Sequence, residues 1–562
     1  MFEKLAVIPD SFFAPDGKKL SLLAYLFLVM LCVGFFTPGI VTMPPTDRDE
    51  ASYVQASKQM IESGNYTDIR LQDEPRYKKP IGIYWLQSAV VRVFNPHHLD
   101  EIWAYRIPSF VGATVAVLMT AALGSLLFNP LTGLLAAMML SGCILMNTEA
   151  RIATTDAALL ASVMVAVYGL ARAYLGQISG WRVPLVFWTA FAVGILLKGP
   201  LILLPILGAL LWLKISDKNI AWFRSLRPVI GLLYALVLVA PWFIAITLQS
   251  HGAFLQQSAG QDMLAKIWES QNRGMLPPGA HLMALPILFF PFALFAVFAA
   301  PDVWKNRREA SVKFCLGWIV PMWLVFECSL TKLPHYVLPA YPAIALLTAK
   351  FLLDGFPTVA ETNRRFPIVL VVGFWLVIGV GFALFFSMVP AHYDNVWQMP
   401  QIVAGGFLIL SQGCALLMLP RQKIGSLVIL TLGGLVFVST TFGMTIPGLQ
   451  HAWMSREIVE AVEPLNPCPN SQIVSFGYHE PSLVFLAGTD TMLTFNAADA
   501  AKALKEDSCR VAVIDDRNKQ DFLDAFAGAP QQPKESGTIG GLNSGHGAQM
   551  TLTIYLLPQV AR

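Results

Sequence analysis

Apolar runs near the length that crosses a bilayer, about 20 residues, recur from Leu20 to Phe442. No soluble core calls for such repetition. Only 13% of the 562 residues are charged, against 55% hydrophobic, and the mean hydropathy is +0.57. An ordinary soluble domain carries about 25% charged residues. The chain therefore reads as an α-helical polytopic membrane protein. Spans are expected at roughly 20–41, 106–128, 130–147, 154–175, 183–198, 200–215, 227–248, 282–300, 314–330, 335–353, 367–389, 401–419 and 424–445, about thirteen in all. Asn129-Pro130 and Gly199-Pro200 turns separate neighbouring runs. The first run is too long for a signal-peptide core and lacks a small-residue cleavage site, so it is expected to stay as a span.

Lys and Arg sort the loops into two sides. With a cytoplasmic N-terminus, the inner loops hold Arg172 and Arg182, then Lys214, Lys218, Arg224 and Arg227. They continue with Lys305, Arg307, Arg308 and Lys313, then Lys350, Arg364 and Arg365, then Arg421 and Lys423. The outer loops are poorer in such residues, apart from the first. An odd span count then leaves the first outer loop (42–105), the loop from Gln249 to His281 and the whole tail outside the cytoplasm.

The stretch from Asp47 to Trp85 is the longest polar interval in the first half of the chain. It opens with Asp47, Asp49 and Glu50 and closes with Arg76, Tyr77, Lys78 and Lys79 before Pro80. Two helices lying at the membrane interface are expected within it, Ala51 to Ser63 and Ile81 to Phe94. After residue 445 the composition changes. Alternating strand and helix signals over 446–562 predict a small extracytoplasmic α/β domain behind a transmembrane domain of 1–445. No GxGxxG or P-loop occurs there. Five of the seven cysteines lie in apolar runs, as buried thiols do, while Cys468 and Cys509 lie in the polar tail and can pair in an oxidising compartment.

Several polar residues stand where chemistry can occur. Asp49 and Glu50 sit just beyond the first span; a partly desolvated carboxylate there serves as a general base or simply caps a helix. Asp156 heads the fourth span, with Arg151 and Glu149 just before it, and ionisable residues at such edges are functional by default. Arg76, Lys78 and Lys79 suit a phosphate, or Lys side chains that reach back to water. Lys198 lies between two spans on the outer side and needs a partner. Lys332, His335, Tyr336 and Tyr341 form a proline-shaped polar cluster on the same side. The long outer loop adds His251, Gln256, Gln257, Gln261, Asp262, Lys266, Trp268, Glu269 and Arg273, a lid, a sugar site or a solvated loop. HExxH, GxSxG and Cys/His metal spacings are absent, so no cofactor is called for. A divalent metal is open only to acidic residues such as Asp49 and Asp156 and to His251 or His335.

In order along the chain stand DE after the first span, YKKPIGIYW, ARIATTDAAL, LLKGPLILLP and KLPHYVLPAYPAIALLTA. This series resembles the bacterial GT-C glycosyltransferases of the protein-mannosyltransferase-like superfamily, and most closely their aminoarabinose-transferase-like branch. The resemblance implies a GT-C fold and an inner-membrane enzyme with a periplasmic tail. It implies sugar transfer from an undecaprenyl-phosphate-linked donor to lipid A, another envelope glycan or, as the alternative, a protein hydroxyl. A lipid-linked-sugar transporter is the reading from another class; it calls for internal repeats that the chain does not show. Asp49 matches the family's proposed base, Asp156 its second acidic site and Lys79 its phosphate-binding Lys. Two positions depart. Ser52 stands where the family often has Arg, and Lys78 replaces the Glu before the motif Lys, which removes a potential metal ligand.

Overall fold

The structure is a computed structural model that describes residues 8–258, 260, 276–354, 365–466, 468, 471–543, 545 and 547–558. Helix α1 (Leu22–Phe36) starts where the Ser21 hydroxyl accepts a hydrogen bond from the Ala24 N–H. The loop of residues 42–105, expected to be the first outer loop, follows. Helix α2 (Asp49–Ser63) ends at Gly64, which takes the left-handed conformation that closes helices. Strands β1 (Arg70–Leu71) and β2 (Glu74–Pro75) make a small hairpin, and α3 (Gly82–Phe94) packs on α2. Most of α2 is buried despite its polar sequence, because both α3 and the tail cover it.

Helix α4 (Trp103–Leu127) packs against α5 (Pro130–Gly142), which Asn129 caps and Pro130 opens. The short α6 (Ile144–Glu149) leads through a tight loop to α7 (Asp156–Tyr174). A Cβ on Gly112 would lie 2.7 Å from the Ala157 carbonyl oxygen, so α4 meets the head of α7 backbone to backbone and fixes where Asp156 stands. Helices α8 (Arg182–Lys198) and α9 (Leu203–Asp217) belong to one 36-residue apolar run. The run breaks at Gly199, whose φ of 64° and ψ of −143° suit only glycine. The break leaves Lys198 at the end of α8.

Helices α10 (Pro228–Gln249), α11 (Ala280–Leu288), α12 (Ala293–Lys305) and α13 (Ala310–Cys328) come next. A 3-10 turn over Pro334–Ala340 leads into α14 (Tyr341–Asp354), followed by α15 (Arg365–Tyr393), α16 (Met399–Met418) and α17 (Lys423–Thr440). Each of the thirteen expected stretches carries helix. Among the described residues, nine runs are long and apolar enough to cross a membrane, with Arg182–Asp217 counted as one; Leu22–Phe36 and Pro130–Gly142 are apolar but shorter. Val229, Leu232 and Leu236 on α10 are exposed, as a lipid-facing helix surface requires. The chain is a multi-pass membrane protein.

The tail holds α18 (Met454–Val462), β3 (Ile473–Phe476), α19 (Pro481–Ala487), β4 (Met492–Thr494), α20 (Ala497–Glu506), β5 (Val511–Asp515), α21 (Lys519–Asp524), β6 (Lys534–Asn543) and β7 (Ala548–Leu556). Its five strands run in the order β4-β3-β5-β7-β6. The first three are parallel and the last two pairings antiparallel. Two apolar cores cover the faces of the sheet, one around Ile458, Leu483 and Val513, the other around Leu504, Ile514 and Phe522. Cys468 and Cys509 form a disulfide.

Candidate active site

One cavity of about 910 Å³ lies between the 42–105 loop and the ends of membrane helices, a size that suits a small-molecule site. Thr46, Asp47, Asp49, Glu50 and Tyr53 form one side of it, and Arg76, Lys78 and Lys79 another. Glu149, Asp156, Lys198, His335 and Tyr336 line it from the membrane helices. Apolar wall comes from Leu203, Leu204, Leu207, Phe243, Val325 and Phe326. Residues up to 290 positions apart in sequence thus share one space, with Thr46 and Tyr336 at its extremes.

Asp49 and Glu50 are neighbours at the start of α2 and stand in opposite states. Asp49 is exposed, and among the described residues its carboxylate has no hydrogen-bond partner. Glu50 is buried and fully engaged. Its Oε1 accepts from Arg106 Nε at 2.8 Å and from the Ala153 N–H at 2.8 Å. Its Oε2 accepts from Arg106 Nη2 at 3.1 Å, from the Thr46 N–H at 2.9 Å and from the Thr46 hydroxyl at 2.8 Å. Burial pushes the Glu50 carboxyl up, but Arg106 and these donors outweigh it and hold it below the usual range. Arg106 spends its other donors on the carbonyls of Gly39, Ile40, Met43 and Pro44. Glu50 is therefore a structural tie: it joins the first outer loop, α4 and the loop before Asp156. It leaves Asp49 as the available carboxylate of the pair.

The cations also divide. Arg76 is buried; its Nη1 donates to the Tyr84 hydroxyl at 2.6 Å and its guanidinium lies 4.6 Å from the Tyr53 ring centroid. Lys78 is exposed, and Lys79 is half-buried with its Nζ 3.1 Å from the Lys78 carbonyl oxygen. These two present ammonium groups at the cavity.

Lys198 Nζ donates to Asp156 Oδ1 at 2.6 Å, and both side chains are buried. The Lys198 ammonium also lies 5.8 Å from the Tyr336 ring. Glu149 Oε1 lies 3.8 Å from His335 Nδ1, and its Oε2 accepts from the Thr154 hydroxyl at 3.4 Å. Burial and then the Asp156 carboxylate push Glu149 up, to about 8.

Five candidates from the sequence stand elsewhere. Tyr77 is buried, and its hydroxyl donates to Asp68 Oδ1 at 2.8 Å. Arg151 is wholly buried against the carbonyls of Phe35, Pro38 and Asn147 and the ring of Phe442, where it knits α1 to the loop before α7. Lys332 donates to the Ser329 carbonyl at 2.6 Å, behind the cavity wall. Tyr341 is buried in the membrane core against Phe289. His251 is exposed and away from the cavity lining. Gln261, Asp262, Lys266, Trp268, Glu269 and Arg273 lie outside the described residues. Among the described residues, no three His, Cys, Asp or Glu side chains converge as metal ligands do. Lys198 already engages Asp156. Among the described residues the donor set does not fit a metal centre.

Sequence reading passed over Arg106 and Tyr53 as site residues and named Glu149 only as a neighbour of Asp156. Arg106 carries a signal that finds it: a charge at the edge of an apolar span. Glu149 has the same signal, a carboxylate at the end of a span. Tyr53 has none.

A family model described as dolichyl-phosphate-mannose-protein mannosyltransferase matches residues 78–244. The chain is 24% identical over 310 residues to the undecaprenyl phosphate-alpha-4-amino-4-deoxy-L-arabinose arabinosyl transferase of Enterobacter sp. (strain 638), covering 54% of each. It is 26% identical over 325 residues to the protein of the same name from Pseudomonas aeruginosa, covering 54% of this chain and 55% of that one. The chain thus matches about half the length of these curated relatives. The crystal structure of ArnT from Cupriavidus metallidurans bound to undecaprenyl phosphate superposes with a TM-score of 0.71 at 16% identity, over 95% of this chain and 98% of that one. Its apo form gives 0.70 over 95% and 97%. At that identity the likeness is one of fold. These matches agree with the resemblance read from the sequence: the chain is similar to the aminoarabinose transferases and shares the fold of ArnT from Cupriavidus metallidurans.

Proposed function

We propose that this chain is a membrane glycosyltransferase that moves a sugar from a polyprenyl-phosphate-linked donor to lipid A or another envelope glycan. The observation that carries this reading is the meeting, in one cavity with an apolar wall, of an unengaged carboxylate, Asp49, and the ammonium groups of Lys78 and Lys79. The names of the relatives support the donor class. The reaction lies at the periplasmic face of a bacterial inner membrane, with the N-terminus cytoplasmic. The catalytic unit is residues 1–445, and 446–562 form the periplasmic domain.

The chemistry follows from the side chains. Lys79 and Lys78 bind the donor phosphate, and the polyprenyl tail lies along the wall near Leu203 and Leu207. Asp49 takes the proton of the acceptor hydroxyl as its oxygen bonds to the anomeric carbon. The bond from that carbon to the phosphate oxygen breaks on the opposite face, so the configuration inverts. The polyprenyl phosphate leaves with the bond's electron pair, and the lysines stabilise the charge that develops on it. Asp156, held by Lys198, shapes the acceptor side. Positioning is the larger part of the work, since the sugar phosphate is already activated.

The same geometry serves a protein hydroxyl, the acceptor class in the family model's description. Mass spectrometry of envelope lipids, glycans and proteins from cells with and without the enzyme separates the two. Loss of a sugar-sized mass from a glycolipid supports the main reading, and loss from a protein supports the second. No loss in cells that otherwise make the enzyme overturns both.

A further inference from the structure

Asp49 projects from a strained turn, and the tail holds one end of that turn. Arg48, between Asp47 and Asp49, has φ 66° and ψ −101°, a conformation unfavourable for a residue with a side chain. Such a residue persists only where its surroundings determine it. On the C-terminal side the determinant is Glu50, tied to Arg106 and to Thr46. On the N-terminal side it is Asp47, whose Oδ1 accepts a hydrogen bond from the Ser482 hydroxyl of α19.

That bond is the end of a buried chain. Ser482 Oγ lies 2.6 Å from Ser455 Oγ, which lies 2.7 Å from the Tyr478 hydroxyl. Each hydroxyl has one proton to give. Since Ser482 gives its proton to Asp47, Ser455 gives to Ser482, and Tyr478 gives to Ser455. All three are buried, and such chains polarise one another toward the terminal acceptor. The rest of the contact is built to match. Lys58 of α2 buries its ammonium and donates to the Phe485 carbonyl at 2.9 Å, at the negative end of α19. Gln55 donates to the Thr489 hydroxyl at 2.8 Å, and Gln72 to the carbonyls of Thr489 and Thr491 at 3.0 and 2.6 Å.

We propose that Ser482 is a positioning residue for the transfer reaction: its bond to Asp47 holds the Arg48 turn so that Asp49 faces the cavity. The tail domain is then part of the catalytic apparatus in the same chain. This rests on the reading of Asp49 as the base.

The test uses the full-length enzyme. Product is measured in cells as the sugar-bearing envelope component per amount of enzyme, and binding of undecaprenyl phosphate is measured on the purified protein. Ser482→Ala is expected to lower product formation on the order of 10²-fold, the scale of an ångström-sized misplacement. Undecaprenyl phosphate affinity should stay within about twofold, because the Lys78 and Lys79 side is untouched. Ser482→Thr, which keeps the hydroxyl, restores product formation. In an Asp49→Asn background, Ser482→Ala adds no further loss, because Ser482 acts through Asp49. Full activity of Ser482→Ala, a matching loss of undecaprenyl phosphate binding, or a further loss in the Asp49→Asn background overturns the proposal. A wild-type enzyme that neither forms product nor binds undecaprenyl phosphate instead overturns the glycosyltransferase reading itself.

Discussion

Two carboxylates that line the cavity, Asp49 and Asp156, are held in contrasting ways. Asp156 opens a membrane helix, is buried, and is bound to Lys198 at 2.6 Å. Asp49 opens a helix of the first outer loop, faces the cavity, and is kept in place by its neighbours' bonds. A carboxylate paired with a buried lysine is stabilised in its charged form and is the weaker proton acceptor. One without such a partner can accept a proton. In the proposed mechanism the loop carboxylate takes the proton-accepting role and the helix carboxylate the shaping one.

Breaking the helix side should show in stability. Lys198→Met leaves Asp156 buried without its cation and should cost about 3–5 kcal/mol in unfolding measurements on the detergent-solubilised protein. The double variant Asp156→Asn/Lys198→Met should recover most of that. If Lys198→Met unfolds like wild type, the pair is not the structural element described here. On the loop side, Lys79→Met should weaken undecaprenyl phosphate binding by about 10- to 100-fold, the worth of a charge-assisted hydrogen bond. The exposed Lys78→Met should weaken it by only about two- to fivefold. Equal losses would mean the phosphate is shared evenly between them.

Glu149 gives a pH dependence, and its sign is fixed. Its folded-state carboxyl is raised to about 8 by burial and the Asp156 charge, so the folded protein binds a proton that the unfolded chain has released. Its stabilising contribution is complete below the ordinary carboxylate range and is lost as pH rises through about 8. The melting temperature should therefore fall between pH 5 and pH 9 less steeply in Glu149→Gln than in wild type. Parallel slopes would mean that Glu149 is ionised throughout.

The same contrast shows what sequence reading reaches. The helices were readable because bilayer thickness sets the length of each apolar run. The polar residues between them named the cavity's surroundings: Asp49, Arg76, Lys78, Lys79, Asp156, Lys198, His335 and Tyr336 all line it. Which side chains point inward was not readable. Tyr77 and Arg151 carry the same signals as their neighbours, yet one turns to Asp68 and the other to the backbone of α1. The tie between Ser482 and Asp47 spans 435 residues and joins two common polar side chains, so no local pattern marks it. Even Glu50 was ambiguous, because a base and a buried structural carboxylate look alike until Arg106 is seen beside it.

The most direct test of the account compares turnover and melting temperature in full-length Asp49→Asn. With Asp49 as the base, product formation should fall about 10²- to 10⁴-fold, the range for a general base, with melting temperature and undecaprenyl phosphate binding unchanged. Wild-type turnover in Asp49→Asn would contradict it and move the proton-accepting role to another carboxylate in the cavity.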